Sequence, residues 1–255
     1  ISLGLVGSEM CIRDRDKTVE ALLDRGFYGL LLEMSLGKTK VSLNVAEILA
    51  KMGRIKRILI ICPKAIQSVW QDEIPKHSNF DIEPFVWVNK HTKKYKDAKK
   101  AFKAQEFQIL LAGLEMFQRE NLNLEWDLNE LYEEPTLVIL DESSKIKNVT
   151  TQRAPRVIKY TRDAAYRVIL TGTPWSESPL DIFSQMEFLK EGFWYKFEKP
   201  WKPSTLRKHW YIFRNRYAVM QEVSLGTGRT FKTMVGTRRT EEVARKIQPH
   251  VIQQL

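Results

Sequence analysis

The 255-residue chain has little cysteine: two residues, Cys11 and Cys62. Two thiols make neither a disulfide framework nor a metal-ligand cluster, so a reducing compartment is expected. Nor does any apolar run approach the roughly eighteen residues that cross a bilayer, and no membrane partner is expected. The opening residues, ISLGLVGSEMCIRDR, carry no basic leader and too short an apolar stretch for a secretory signal. Internal repeats and low-complexity linkers are missing as well. One large domain or two small ones remain. What the chain has is 43% hydrophobic residues, enough to bury a core, and a net charge of +10, which suits a polyanion such as nucleic acid.

One stretch organises the rest. Residues 27–39 read FYGLLLEMSLGKT. An apolar run, 28–32, leads into a short loop that closes on Gly37, Lys38 and Thr39. A helical pattern follows at once, with Val41, Leu43, Val45, Ala46, Ile48 and Leu49 apolar. Strand, loop ending in GKT, helix is the layout of a phosphate-binding loop. Phosphate oxygens need several donors close together, and backbone N–H groups at a helix N-terminus supply them with a favourable dipole. The segment Met34, Ser35, Leu36, Gly37, Lys38 and Thr39 is the candidate cradle. Gly37 lets the backbone approach, Lys38 can reach the β- and γ-phosphates, and the Thr39 hydroxyl can ligate Mg²⁺. The full pattern wants a further glycine where Leu32 stands. A bare GK[ST] occurs by chance in roughly one chain in ten of this length, so a second site is required.

The remaining chain supplies it. Residues 1–15 have no amphipathic pattern and resemble a read-end artefact of shotgun assembly. They are expected to be foreign to the native domain or a disordered terminus. A short helix is expected over 16–25, and apolar strands over 57–62, 82–88, 107–112, 137–140 and 167–170. Helices are expected after Pro63-Lys64, through Trp70 to about Ile74, and over the lysine-rich 90–103; residues 121–134 read as a polar loop with a helical turn. Cys62 reads as a core residue of its strand. Short, fully apolar strands separated by helices make an α/β fold, a mostly parallel sheet with helices on both faces. Polar residues then cluster at the carboxyl edge of the sheet, where ligands sit.

LVILDESSKIKN, 137–148, is an apolar strand ending in Asp141-Glu142. Asp141 would hold the hydrated metal and Glu142 would orient and deprotonate the attacking water. A lone Asp-Glu pair is often no more than two solvated carboxylates at a helix start. Here the phosphate loop, the Asp-Glu pair and Thr171-Gly172-Thr173-Pro174 each follow an apolar strand, in that order.

At these residues the chain resembles the first RecA-like lobe of superfamily 2 helicases, and within them the Swi/Snf-like branch of DNA translocases with its compact phage and bacterial members. LEMSLGKT is similar to motif I, ILIICPKAIQSVWQDEI to motif Ia and its helix, LVILDESSKIKN to motif II, and VILTGTPWSESPLDIFSQMEFL to motif III with its continuation. FRNRYAVMQ and IQPHVI resemble the end of that lobe. The resemblance runs from about Lys17 to the C-terminus. It implies a three-layer RecA-like P-loop lobe over 16–190, with 191–255 a helical, aromatic extension of it. It implies ATP and Mg²⁺ as cofactors, duplex DNA as partner, and Thr171, Gly172 and Thr173 as the coupling loop. It further implies a cytoplasmic site of action in a bacterium or a phage-infected cell. Three positions depart from the pattern: Ser35 replaces a glycine, Ser144 stands where motif II often has histidine, and Thr18 falls where an adenine-reading glutamine is usual. Adenine selectivity is therefore not implied. The family's second lobe, with its arginine fingers, is not in this sequence, so the chain is expected to bind ATP while the parent protein hydrolyses it.

Lys64 follows its strand where a positive charge can meet a DNA phosphate. The lysines of 90–103 are equally a solvated face. Residues 194–217 interleave Trp201, Trp210, Tyr211 and Phe213 with Lys202, Arg207, Lys208, Arg214 and Arg216. Such a mixture can stack bases and bind phosphates, or pack an appendage with only its arginines outward; Lys64, Arg214 and Arg216 are the expected DNA contacts. Two other readings stay open at this level: a P-loop phosphotransferase, which needs a lid, and a nucleotide- or DNA-binding module without turnover.

Overall fold

The computed structural model describes residues 2–33, 36–88, 92–120, 122–175, 178–196, 202–225 and 229–254. In chain order the elements are α1 (Ser2–Arg25), β1 (Phe27–Leu32), α2 (Lys38–Lys51), β2 (Arg57–Cys62), α3 (Gln67–His77), β3 (Phe85–Trp87), α4 (Lys93–Lys103), β4 (Gln108–Gly113) and α5 (Leu122–Leu131). There follow β5 (Thr136–Asp141), α6 (Arg153–Thr161), β6 (Tyr166–Leu170), α7 (Phe183–Leu189), α8 (Pro203–Tyr217), β7 (Ala218–Leu225), β8 (Arg229–Thr237), α9 (Thr240–Ile247) and β9 (Val251–Gln254). Seven strands form one sheet in the order β3-β4-β2-β5-β6-β1-β9, parallel at each pairing. It is the expected RecA-like α/β sheet.

Successive side chains of a strand point to opposite faces, and two cores result. Leu31, Leu59, Ile61, Leu110, Val138, Leu140 and Ile169 face one side, where α5 to α9 cover them. Leu30, Leu32, Ile58, Ile60, Leu111, Ile139 and Leu170 face the other, under α1, α2 and α3. This is why the strands read as continuous apolar runs rather than alternating ones. Cys62 is buried and free, and burial pushes its thiol up to about 12.

Four features differ from the sequence reading. The first helix starts at Ser2, not at residue 16, and runs on without a break at residue 15; Asp14 within it is buried, and its carbonyl accepts the Thr18 hydroxyl at 2.6 Å. Residues 121–134 contain a helix, α5, rather than a loop. Leu124, Leu128 and Leu131 form its buried stripe, while Glu125, Asp127 and Glu130 pair with Lys159, Lys99 and Lys103. The same pairs bind part of the lysine face of α4 to protein carboxylates. The third difference is the antiparallel ribbon β7–β8, and the fourth is β9, the seventh strand, both within the region read as a helical appendage. At Gly29 a Cβ would come within 2.8 Å of Val251 Cγ1, so the close approach of β9 to β1 requires glycine there.

The aromatic part of that region packs inward. Phe213 lies 4.5 Å from Trp194 and 5.1 Å from Phe183, ring centre to ring centre. Beside them Glu187 of α7 is buried, and its carboxylate accepts N–H groups from Gly192 and Trp194 at 2.9 and 3.1 Å. Burial still pushes this carboxyl up to about 8, against those bonds and Lys246. The folded chain then holds the proton more tightly than the unfolded one, whose carboxyl titrates near 4.5. Stability from this group is full below that pH and is lost as the pH rises through about 8. Urea midpoints measured from pH 5 to 9 should fall across this window, and Glu187→Gln should flatten the fall whatever its absolute stability.

Candidate nucleotide and DNA site

Strands β5, β6 and β1 lie side by side in one direction. Their register sets Leu30 beside Leu170, and Leu170 beside Asp141. The segments that leave their carboxyl ends, GKT after β1, Asp141-Glu142 after β5 and TGTP after β6, therefore emerge at one sheet edge.

Gly37 adopts the left-handed conformation, φ 74° and ψ 25°, which residues with a Cβ enter at a cost of about 1–2 kcal/mol. Its carbonyl accepts the Val41 N–H at 2.8 Å and opens α2. Leu36 is half-buried, and its N–H reaches the Glu33 carbonyl at 3.4 Å. Met34 and Ser35 lie outside the described residues. Lys38 starts the helix, and its ammonium bends back to donate to the carbonyls of Leu32 and Glu33 at 2.8 and 2.9 Å. Burial lowers its pKa, while the carboxylates of Glu142 and Asp141 act in the other direction. The ammonium is thus within electrostatic reach of both. Thr39 is half-buried in the first turn.

Asp141 is buried, and both its oxygens are engaged. Oδ1 accepts the Glu142 N–H at 2.8 Å and Oδ2 accepts the Trp70 indole N–H at 2.9 Å. Burial raises its pKa, opposed by those two bonds and by Lys38. Glu142 itself is left-handed, φ 49° and ψ 50°, a strained state for a residue with a side chain. The strain turns the chain sharply off β5 into the 3₁₀ turn Ser143–Ile146.

The loop after β6 is tied to both neighbours. Thr171 is buried, and its N–H donates to the Leu30 carbonyl at 3.2 Å. Its hydroxyl oxygen accepts the Thr173 N–H at 3.1 Å. Gly172 is half-buried and Thr173 exposed. A link to the turn after β5 runs through Gln185 of α7: the Ser143 hydroxyl donates to Gln185 Oε1 at 2.7 Å, and Gln185 Nε2 donates to the Pro174 carbonyl at 2.6 Å. Sequence reasoning passed over Ser143, Gln185 and Trp70. Trp70 alone carried a signal, since a tryptophan at a buried helix position needs an acceptor for its N–H.

Lys64 is exposed in the 3₁₀ turn Lys64–Ile66 that follows β2, its backbone N–H held by Glu115 at 3.0 Å. Arg214 and Arg216 leave a different element, α8. Arg214 stacks over Tyr211 at 4.9 Å. Arg216 is exposed and paired with Glu242 at 2.7 Å. Thr18 is buried, its hydroxyl directed to the Asp14 carbonyl. Among the described residues there is no cluster of three or more His, Cys, Asp or Glu that could hold a metal ion, and no helix long and apolar enough to cross a membrane.

A parallel sheet between two helical layers, with a GKT turn opening the helix after β1, defines a RecA-like P-loop domain. The chain belongs to the SNF2-related domain family, matched over residues 22–226. It is similar to Protein CHROMATIN REMODELING 19 of Arabidopsis thaliana, 25% identical over 175 residues that cover 66% of this chain and 23% of the relative. It is likewise similar to DNA repair and recombination protein RAD54B of Gallus gallus, 26% identical over 248 residues, 88% of this chain and 24% of that protein. Among solved structures, the Sulfolobus solfataricus SWI2/SNF2 ATPase core in complex with dsDNA has the same fold, with a TM-score of 0.67 at 20% identity. The match covers 96% of this chain and 43% of that one. The chain thus spans about a quarter of these two relatives and under half of that core.

Proposed function

We propose that the chain is the ATP-binding lobe of a DNA-dependent ATPase that moves along duplex DNA. The observation that carries the reading is the placing of Gly37-Lys38-Thr39 and Asp141-Glu142 at the ends of β1 and β5, the two strands that flank β6, with the ammonium in electrostatic reach of both carboxylates. The donors suit magnesium and a triphosphate. Mg²⁺ keeps most of its waters and takes one or two protein oxygens beside the phosphates, so Thr39 and Asp141 suffice without a larger cluster. The Leu32 and Glu33 carbonyls hold the Lys38 ammonium, and phosphate oxygens, being charged and stronger acceptors, would be its partners with nucleotide bound. The bound Mg²⁺–ATP supplies the reactive phosphoryl group and its leaving group. Leu36, Gly37 and the start of α2 would present N–H groups to the phosphates, Lys38 would neutralise them, and Glu142 would orient a water and take its proton. Thr171, Gly172 and Thr173, whose loop is tied at Pro174 through Gln185 to Ser143, would pass the nucleotide state to the DNA side.

Residues 16–190 then form the nucleotide lobe and 191–255 its extension, while residues 1–15 are foreign to the native domain. A second lobe in the parent protein completes the cleft. Ser144 in place of histidine supports the phage and bacterial branch, and the scarcity of cysteine supports a reducing cytoplasm. The isolated chain fits a second reading, a nucleotide- or DNA-binding module without turnover, because it spans 43% of a solved ATPase core. Steady-state ATP hydrolysis with and without duplex DNA, on this chain and on a version carrying a second lobe, separates the two. DNA-stimulated turnover only in the longer protein is the expected result; none in either ends the motor reading.

Lys64, Arg214 and Arg216 are the proposed contacts to DNA phosphates. Lys64→Ala should weaken binding to every duplex sequence alike and lower the slope of log affinity against log salt by about one. Fluorescence anisotropy across a salt series reads this. A weaker affinity with an unchanged slope would assign Lys64 to folding instead.

A further inference from the structure

Trp70 lies on α3, the helix that follows Lys64. The side chain is 2% exposed and belongs to the core under α2. A buried indole N–H needs an acceptor. Here the acceptor is neither a backbone carbonyl nor water but the Asp141 carboxylate, at 2.9 Å. The other carboxylate oxygen receives the Glu142 N–H at 2.8 Å. With a donor on each oxygen the carboxylate cannot rotate freely about its terminal torsion, and its remaining lone pairs are aimed by the two donors. Bonds from neutral donors to a charged acceptor are stronger than neutral pairs, and burial of both partners removes competing water.

We propose that Trp70 is a positioning residue for the nucleotide-bound metal: it holds Asp141 in the orientation that receives the hydrated Mg²⁺, and it ties that carboxylate mechanically to α3. The proposal rests on the nucleotide reading above. Phenylalanine lacks the N–H and keeps an aromatic ring in the core, and so removes the donor with a limited loss of packing.

The test measures binding of a fluorescent non-hydrolysable ATP analogue to the full chain, with Mg²⁺ and with EDTA. The Mg²⁺ enhancement of affinity should shrink about tenfold in Trp70→Phe, the low end of what a hydrogen bond to a charged group is worth. A variant that stays folded with the enhancement unchanged within twofold overturns the proposal and leaves the nucleotide site standing. A wild-type chain whose binding ignores Mg²⁺ overturns both. If Trp70→Phe does not fold, the wild type supplies a second measurement. Of its seven tryptophan indole N–H resonances, the one displaced by Asp141→Asn is that of Trp70. It should move when Mg²⁺ is added to the analogue complex, and its standing still while backbone signals near Lys38 respond overturns the proposal.

Discussion

Lys38→Ala should lower the affinity of this chain for Mg²⁺–ATP at least a hundredfold and leave the fold in place. In the proposed nucleotide site the ammonium is the charge that would meet the β- and γ-phosphates, and two charge-assisted bonds of about 1.5–3 kcal/mol each would be lost with it. Little in the fold depends on it. Its present bonds go to two loop carbonyls, Leu32 and Glu33, and a loss of about 1 kcal/mol shifts the melting temperature of a domain this size by roughly 2–4 °C. Titration calorimetry with Mg²⁺–ATP and a thermal melt measure both. A folded variant with wild-type affinity removes Lys38, and the phosphate loop with it, from the assignment.

Glu142→Gln, made in a protein that carries the second lobe, should cut the rate of ATP hydrolysis by about 10²–10⁴ with ATP binding within a fewfold of wild type. The amide has the shape of the carboxylate but cannot accept the water's proton. The left-handed backbone at this residue, φ 49°, is imposed by the turn off β5 and is as open to glutamine as to glutamate, so the geometry of the site is kept. Single-turnover hydrolysis and nucleotide affinity, measured on the same preparation, separate chemistry from binding. Loss of binding together with turnover would mean that Glu142 acts as a structural or metal-holding group. Undiminished turnover would pass the role of base to another residue.

Trp70 and Gln185 mark the limit of what could be read beforehand. Each occurs in a stretch identified by pattern, and neither has a partner near it in sequence: Trp70 meets Asp141 across 71 positions, and Gln185 meets Ser143 across 42. Helix α5 was hidden for a related reason. Its three buried leucines are scattered among carboxylates, and those carboxylates look like loop residues until Lys99, Lys103 and Lys159 arrive from α4 and α6. Strand β9 has four residues and no run of its own; only its place against β1, at the glycine that admits it, makes it a strand.

By contrast, the central strands, the GKT turn and the Asp-Glu pair were legible because each is a local signal. An apolar hexamer such as RILIIC cannot face water, and a parallel sheet buries it on both sides. Glycine before a Lys-Thr helix start is a backbone requirement carried by one residue. The family, and the expectation that polar residues gather at the carboxyl edge of the sheet, followed from these alone. Tertiary structure decided what depends on distance: that the loops after β1 and β5 flank the one after β6, that a tryptophan N–H is bonded to the Asp141 carboxylate, and that α4 spends two lysines on its neighbour α5. Those outcomes depend on which side chains a folded backbone brings within about 3 Å, the range of a hydrogen bond, and composition and periodicity do not encode that range.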